Sequence, residues 1–182
     1  MNFTPFPELT SERLFLRQIA QADSDVILFL RSDKAVNKYI ERPESRKTKN
    51  KADAIKFITG LHEAAKNNKS ISWGITLKNN PEIIGTICLW NFSENNKTAE
   101  IGYDLNPLFH KKGIMNEALK QVIDFGFKQL KLQKIEAFTH FKNQTSKKLL
   151  INNGFHLMDN RSDEDNPANV IFEINNPQTN TI

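Results

Sequence analysis

The segment Glu100–Leu119 reads Glu-Ile-Gly-Tyr-Asp-Leu-Asn-Pro-Leu-Phe-His-Lys-Lys-Gly-Ile-Met-Asn-Glu-Ala-Leu, and these residues are suited to chemistry on an anion. A strand delivers the chain to a turn, and the turn opens a helix. The first amides of that helix, about Lys112–Asn116, have no intrahelical acceptor. They lie at the positive end of the helix dipole, where a phosphate is a natural partner. Gly113 tolerates positive φ and lets a ligand approach the backbone. Lys111 and Lys112 add positive charge at the rim. The same residues would also make an ordinary strand–helix loop with a surface lysine pair. No Gly-Lys-Ser/Thr follows, so this is not a Walker loop, and the second and third glycines of a dinucleotide fingerprint are missing. Cys88 sits between Ile87 and Leu89 and reads as a small core residue rather than a nucleophile. His62, His140 and His156 show no metal-ligand spacing, so no metal is expected.

The elements around this segment follow from apolar periodicity. Arg13–Ile19 alternates as a strand. Asp23–Arg31 is a helix, with Asp23 or Ser24 as its cap, and Ser32–Tyr39 adds a short helical turn. Ile40–Asn50, with Pro43 and many charges, is a loop. Lys51–Asn67 is helical. Ile71–Leu77, Ile83–Asn91 and Thr98–Leu105 form an antiparallel meander whose first turn spans Lys78–Glu82. Asn106–Lys112 is an irregular turn before a helix to about Leu130. Ile135–Phe141 is the next strand. Thr145–Asn152 is a short helix stopped by Asn153–Gly154. Phe155–Met158 and Val170–Ile174 are the last strands, with an acidic, mobile loop, Asp159–Ala168, between them. Ala99–Thr139 is a strand, a helix and a strand, which favours parallel pairing with a right-handed crossover.

The chain has 182 residues, enough for one domain with a sizeable core. The expected division is a single domain, 1–182, with its core at about 9–174 and a flexible tail at 175–182. No apolar run is long enough for a membrane span. Met1–Thr10 lacks the basic and apolar segments of a secretory signal, and a single cysteine excludes an internal disulfide framework. These features point to the cytoplasm. The net charge of +4 suits a polyanionic small ligand. An RNA partner on the Arg46–Lys51 cluster is the alternative, but no aromatic RNA-binding motif or zinc-finger spacing supports it.

Several stretches resemble the GNAT (Gcn5-related) N-acetyltransferases, RimJ/RimL-like branch. His110-Lys-Lys-Gly113-Ile-Met115 is similar to the family's acyl-CoA loop. It lies within Asn106–Leu119, which follows the extended Asn-Pro…Gly-Ile-x-x-Glu-Ala-Leu pattern. Thr10–Arg17, Ile84-Gly85-Thr-Ile, Glu100–Tyr103 and Asn143-x-x-Ser146-x-x-Leu149…Asn-Gly-Phe155 resemble further landmarks in the right order. The resemblance spans about Leu9–Ile174. His110 replaces the usual Gln or Arg. Met115 replaces a small residue, and its side chain is expected to point into the core so that only its amide is used.

The resemblance implies a mixed α/β fold: a mostly antiparallel sheet with one parallel, splayed strand pair and flanking helices. It implies acetyl-CoA as cosubstrate, held by Tyr103, Leu105, His110, Lys111, Lys112, Gly113, Ile114, Met115, Asn116 and Asn143. It makes Glu100 the candidate base and Ser146 the group that holds or protonates the leaving thiolate. Glu100 could equally be a solvent-facing strand residue, and Ser146 an ordinary first-turn serine. Tyr103 reads first as an aromatic packed on the sheet, and second as a proton donor. Tyr39, Arg42 and Trp90 are candidate acceptor contacts. The acceptor is a protein N-terminal amine or a small amine. An α-amine of pKa about 8 is roughly 10% neutral at pH 7 and a lysine well below 0.1%, a difference of about 3 kcal/mol that favours the α-amine. The competing reading is a non-catalytic acyl-CoA sensor or interaction module. Either would be a monomer or a homodimer.

Overall fold

Trp73 and Ile75 on one strand, and Ile87 and Leu89 on the next, alternate with smaller residues, and all four are fully buried. A period of two puts them on one face of a sheet. The computed structural model describes residues 1–180. Its strands are β1 (Leu9–Thr10), β2 (Leu14–Gln18), β3 (Ile71–Leu77), β4 (Asn80–Trp90), β5 (Thr98–Leu105), β6 (Lys134–His140), β7 (His156–Leu157) and β8 (Asn169–Asn175). The helices are α1 (Ser24–Ser32), α2 (Lys51–Lys66), α3 (Ile114–Lys128) and α4 (Gln144–Asn152). The sheet order is β1-β2-β3-β4-β5-β6-β8-β7. Every neighbouring pair is antiparallel except β5 and β6, which are parallel and joined by α3. The expected mixed sheet is therefore the one found.

The apolar stripe of α3 decides which face it covers. Met115, Ala118, Leu119, Val122, Phe125 and Gly126 are buried against Trp73, Ile87, Leu89 and Ile135. The Phe125 ring meets Trp73 edge-on at 5.4 Å, and Met115 points into this core as expected. The other face carries α1 and α2 through a second cluster of Ile19, Ile27, Leu30, Ala54, Ile58 and Ile83. A bulge between Ile75 and Leu77 shifts the register, so Ile84 joins Ile87 and Leu89 on the α3 face although it breaks their alternation, while Ile83 faces α1 and α2.

Three local expectations need correction. The β3–β4 turn is confined to Lys78–Asn79, because Asn80 already pairs with Leu77. The segment after α1 does hold the expected short helical turn, with Asn37 N donating to Asp33 O and Ile40 N to Asn37 O, both at 3.0 Å. The acidic loop is tied down: Asp163 accepts from Asn169 Nδ2 at 2.8 Å, Arg161 reaches Glu136 at 2.6 Å, and Phe141 N donates to Ala168 O at 2.8 Å. Part of the expected tail is structured too. Asn175 closes β8, buried Asn176 donates to Leu132 O at 2.9 Å, and Pro177–Asn180 form a 3-10 turn. Residues 181–182 of that expected tail lie outside the described residues. Among the described residues, no helix is long and apolar enough to cross a membrane.

Candidate active site

The ladder between β5 and β6 covers only Thr98–Glu100 against Lys134–Glu136. Beyond Glu100 the two strands part. Asn106 N donates to Ile84 O at 2.9 Å, so even-numbered residues of β5 turn their backbone toward β4. Tyr103 and Leu105 therefore turn their amides the other way, into the gap that β6 has left. An extended ligand can add there as a strand would.

The gap opens toward the start of α3. Gly113 is the helix N-cap with φ 74°, and Lys111 before it also has positive φ, 61°. The first helical hydrogen bond is Glu117 N to Gly113 O at 3.1 Å. The amides of Ile114, Met115 and Asn116 thus have no acceptor among the described residues. The His110 ring donates from Nε2 to Leu105 O at 3.0 Å, which ties the loop to the end of β5. Lys112 leans over the Phe109 ring at 5.3 Å. The Asn116 Oδ1 accepts from Asn153 Nδ2 at 2.8 Å, joining α3 to the end of α4.

One support of this loop went unread in the sequence. Glu117, in the first turn of α3, accepts from Ser11 Oγ at 2.6 Å, from Arg13 N at 2.9 Å and from the Arg13 guanidinium at 2.6 Å. Arg13 also donates to Lys112 O at 3.0 Å. The segment before β2 is thereby clamped to the turn that opens α3. Burial pushes the Glu117 carboxyl up, but the Ser11 hydroxyl and the Arg13 amide and guanidinium outweigh it and leave the carboxyl below its ordinary value. A lowered folded value stabilises above the unfolded pKa, about 4.3, and that gain is lost as pH falls through the folded value. We expect Glu117→Gln to cost about 1–2 kcal/mol at pH 7 in a urea titration, with the deficit shrinking below pH 4.

On the α3 face, Tyr103 Oη lies 2.9 Å from Ser146 Oγ. Ser146 is buried, and its amide donates to Asn143 Oδ1, the N-cap of α4, at 3.1 Å. Burial pushes the Tyr103 phenol up to about 12, against the bond from Ser146. The Tyr103 ring does pack on the core, as first read, but its hydroxyl reaches across to α4 beside the gap. The two hydroxyls are 43 residues apart in sequence, and only the fold pairs them.

The opposite face of β5 carries Glu100, Gly102 and Asp104 by alternation. Glu100 stands where β5 and β6 part. It is half-buried and takes a hydrogen bond from Asn91 Nδ2, so it is not a solvent-facing strand residue. Burial raises its carboxyl, the Asn91 bond opposes that, and Glu136, Asp163 and Asp165 raise it further. Trp90 is register partner to Glu100, and its indole nitrogen lies over Gly102, where a Cβ would meet it at 3.8 Å. Cys88 shares this face. Burial pushes its thiol up to about 12, which leaves it protonated and inert.

Asp104 is a second carboxylate on this face, and the strand period alone would have revealed it. Its Oδ1 accepts from Thr86 N at 3.1 Å and Thr86 Oγ1 at 3.0 Å. Burial raises the carboxyl, while those bonds and the fields of Arg42 and Arg31 oppose the rise. Arg42 and Tyr39, both from the segment between α1 and α2, arrive over this face. The Tyr39 ring lies 5.4 Å from His140, at the far end of β6. The gap beside β5 therefore has hydroxyls on the α3–α4 face of the sheet and carboxylates on the α1–α2 face.

Residues 13–156 match the acetyltransferase (GNAT) domain family. The chain belongs to that family of N-acetyltransferases. It is 33% identical over 152 residues to the uncharacterized N-acetyltransferase YoaA of Bacillus subtilis (strain 168), covering 82% of this chain and 83% of that one. It is 36% identical over 142 residues to the uncharacterized N-acetyltransferase p20 of Bacillus licheniformis, covering 78% of each. In fold it is similar to the ribosomal-protein-S5-alanine acetyltransferase of Vibrio fischeri, with a TM-score of 0.79, 23% identity and coverage of 94% of this chain and 97% of that one. The RimL ribosomal L7/L12 alpha-N-protein acetyltransferase, solved with coenzyme A, aligns with a TM-score of 0.78 at 18% identity, over 93% and 98% of the two chains.

Proposed function

We propose that this chain, as a single cytoplasmic domain of the RimJ/RimL-like branch, moves the acetyl group of acetyl-CoA to a primary amine in a ternary complex. The acceptor class we favour is an α-amine, either a protein N-terminus or a small molecule. The observation that carries this reading is the parting of β5 from β6 between the Tyr103–Ser146 hydroxyl pair and the Glu100 carboxylate. Ribosomal-protein acetyltransferases of like fold support the choice of an N-terminal amine.

In this reading the diphosphate meets the amides of Ile114, Met115 and Asn116. Gly113 lets it approach, and Lys111 and Lys112 add charge at the rim. His110 holds the loop in place, and Asn143 fixes the start of α4 beside the pantetheine. Pantetheine lies along the Tyr103 and Leu105 backbone as an added strand. The Leu105 amide donates to the carbonyl oxygen as negative charge develops there. The bound ammonium first gives a proton to Glu100; the neutral amine then forms the C–N bond as the C–S bond breaks, and the proton shed by the new amide passes to solvent. An alkyl thiol has a pKa of about 8.5, so a phenol near 12 is the weaker acid. Tyr103 and Ser146 therefore stabilise the departing thiolate by hydrogen bonding rather than by outright protonation. Asp104 holds the acceptor ammonium, and Tyr39, Arg42 and Trp90 border its pocket.

Glu100 has a limited task, and that sets the size of its effect. An α-amine is about one-tenth neutral at pH 7, so assisted deprotonation gains at most about tenfold there. We expect Glu100→Gln to slow an α-amine acceptor about tenfold at pH 7 and hardly at all at pH 9. The wild-type acid limb should sit above that of an ordinary carboxylate, because activity falls as pH drops through the raised Glu100 value. The decisive test of the function is thiol release from acetyl-CoA across peptides with varied N-termini and a set of small amines. No turnover with any amine, and no heat on titrating CoA, would end this reading.

A further inference from the structure

Arg31 and Arg42 line a cavity of about 330 Å³ with Asn37, Thr48, Lys47 and Lys49, between the end of α1 and the start of α2. Both guanidiniums are half-buried, yet neither forms an ion pair with a carboxylate among the described residues. Of the loop's acids, Glu44 is taken by Lys47 and Lys49 at the exposed rim, and exposed Glu41 pairs with neither arginine. Arg31 is held firmly. It donates to Thr48 Oγ1 at 2.7 Å and to Arg46 O at 2.8 Å, and it lies 3.7 Å above the Phe57 ring. Arg42 is oriented by a hydrogen bond to Asn37 Oδ1, whose own amide is anchored on Leu30 O and Asp33 O.

A guanidinium has five N–H donors, and these contacts leave several on each arginine unused. Desolvation lowers both groups, Arg31 to about 10, and Arg42 lowers Arg31 further by like-charge repulsion. Two repelling, desolvated cations beside a cavity are costly unless an anion joins them. Asp104 is near enough to act on both by charge but forms no ion pair with either, and only its Oδ1 is held by Thr86. The cavity thus lies within charge range of Asp104 on the α1–α2 face of β5.

We propose that this cavity receives an oxyanion, a phosphate or a carboxylate, carried by the acceptor a few bonds from its amine. The acceptor is then bipolar: its ammonium goes to Asp104 and its anion to Arg31 and Arg42. Planar guanidiniums suit either oxyanion through paired N–H donors. This assignment rests on the transferase reading of the same site and adds the acceptor's charge to it.

The test uses pairs of acceptors that differ by one oxyanion: a peptide with Asp or Asn after its N-terminal residue, and phosphoethanolamine against ethanolamine. The full-length enzyme should favour the anionic member of at least one pair by tenfold or more in kcat/KM, and the responding pair identifies the source of the anion. Arg42→Gln should erase the preference and leave KM for acetyl-CoA within twofold. Arg42→Lys should restore part of it. Inorganic phosphate should compete with the acceptor but not with acetyl-CoA, and Arg42→Gln should abolish that inhibition. Equal rates within both wild-type pairs, or a preference untouched by Arg42→Gln, would overturn the proposal and leave the transferase standing. If no amine is turned over, the transferase reading fails by itself. The anion site then stands if phosphate raises the Tm of the wild type and not of Arg42→Gln, and falls if it raises both or neither.

Discussion

Replacing Tyr103 by Phe is expected to lower kcat by about 10²-fold while KM for acetyl-CoA stays nearly constant. The ring is kept, so the packing against the core is preserved. What is lost is a donor aimed at charge that exists only as the C–S bond breaks, and one such donor is worth about 10²–10³ in rate. Ser146→Ala removes the partner that orients the phenol at 2.9 Å. A neutral hydrogen bond is worth about 1–1.5 kcal/mol, so the expected loss is about tenfold. The double variant should fall well short of the product of the two, because the hydroxyls act as one unit. With the phenol near 12, no alkaline limb from Tyr103 should appear below about pH 11. Steady-state rates with a slow, saturating acceptor decide this. If both single variants keep the wild-type kcat, the hydroxyl pair has no part in the reaction.

Gly113→Glu is expected to weaken CoA binding by at least about 10²-fold. Gly113 holds φ 74°, a conformation that costs a residue with a Cβ about 1–2 kcal/mol. The new carboxylate would also stand beside the three amides that await the diphosphate. Together these come to about 3 kcal/mol, or about 10²-fold in Kd. Gly113→Ala separates the two effects. Its Cβ would lie 3.4 Å from the Arg13 guanidinium, an ordinary contact, so only backbone strain of about 1 kcal/mol remains. Calorimetry with CoA should therefore rank wild type, Ala and Glu in that order, with the larger step between Ala and Glu. Equal affinities for all three would mean that the diphosphate lies elsewhere.

How much of this site the sequence revealed depended on how local each part is. Gly113 and the amides after it form one continuous stretch, so strand, turn and helix start were all legible from residue order. The hidden burial of Met115 followed from its place on a 3.6-residue stripe. Arg31 and the Ser11–Arg13–Glu117 clamp were not legible. Each is an unremarkable polar residue whose partner lies on another element. Asp104 could have been read, since alternation from Glu100 places it on the same face.

By itself, the sequence determined the order of strands and helices apart from the two-residue β1, the glycine-led start of α3 and the family pattern. All of these arise from period, capping and turn chemistry within about thirty residues. Tertiary structure alone decided where β5 and β6 part, that Tyr103 would meet Ser146, and that Arg31 and Arg42 would share a cavity without a counter-charge. The physical reason is that burial and charge act through space. A side chain's hydrogen bonding and desolvation depend on neighbours brought close by packing, and linear order does not carry that information.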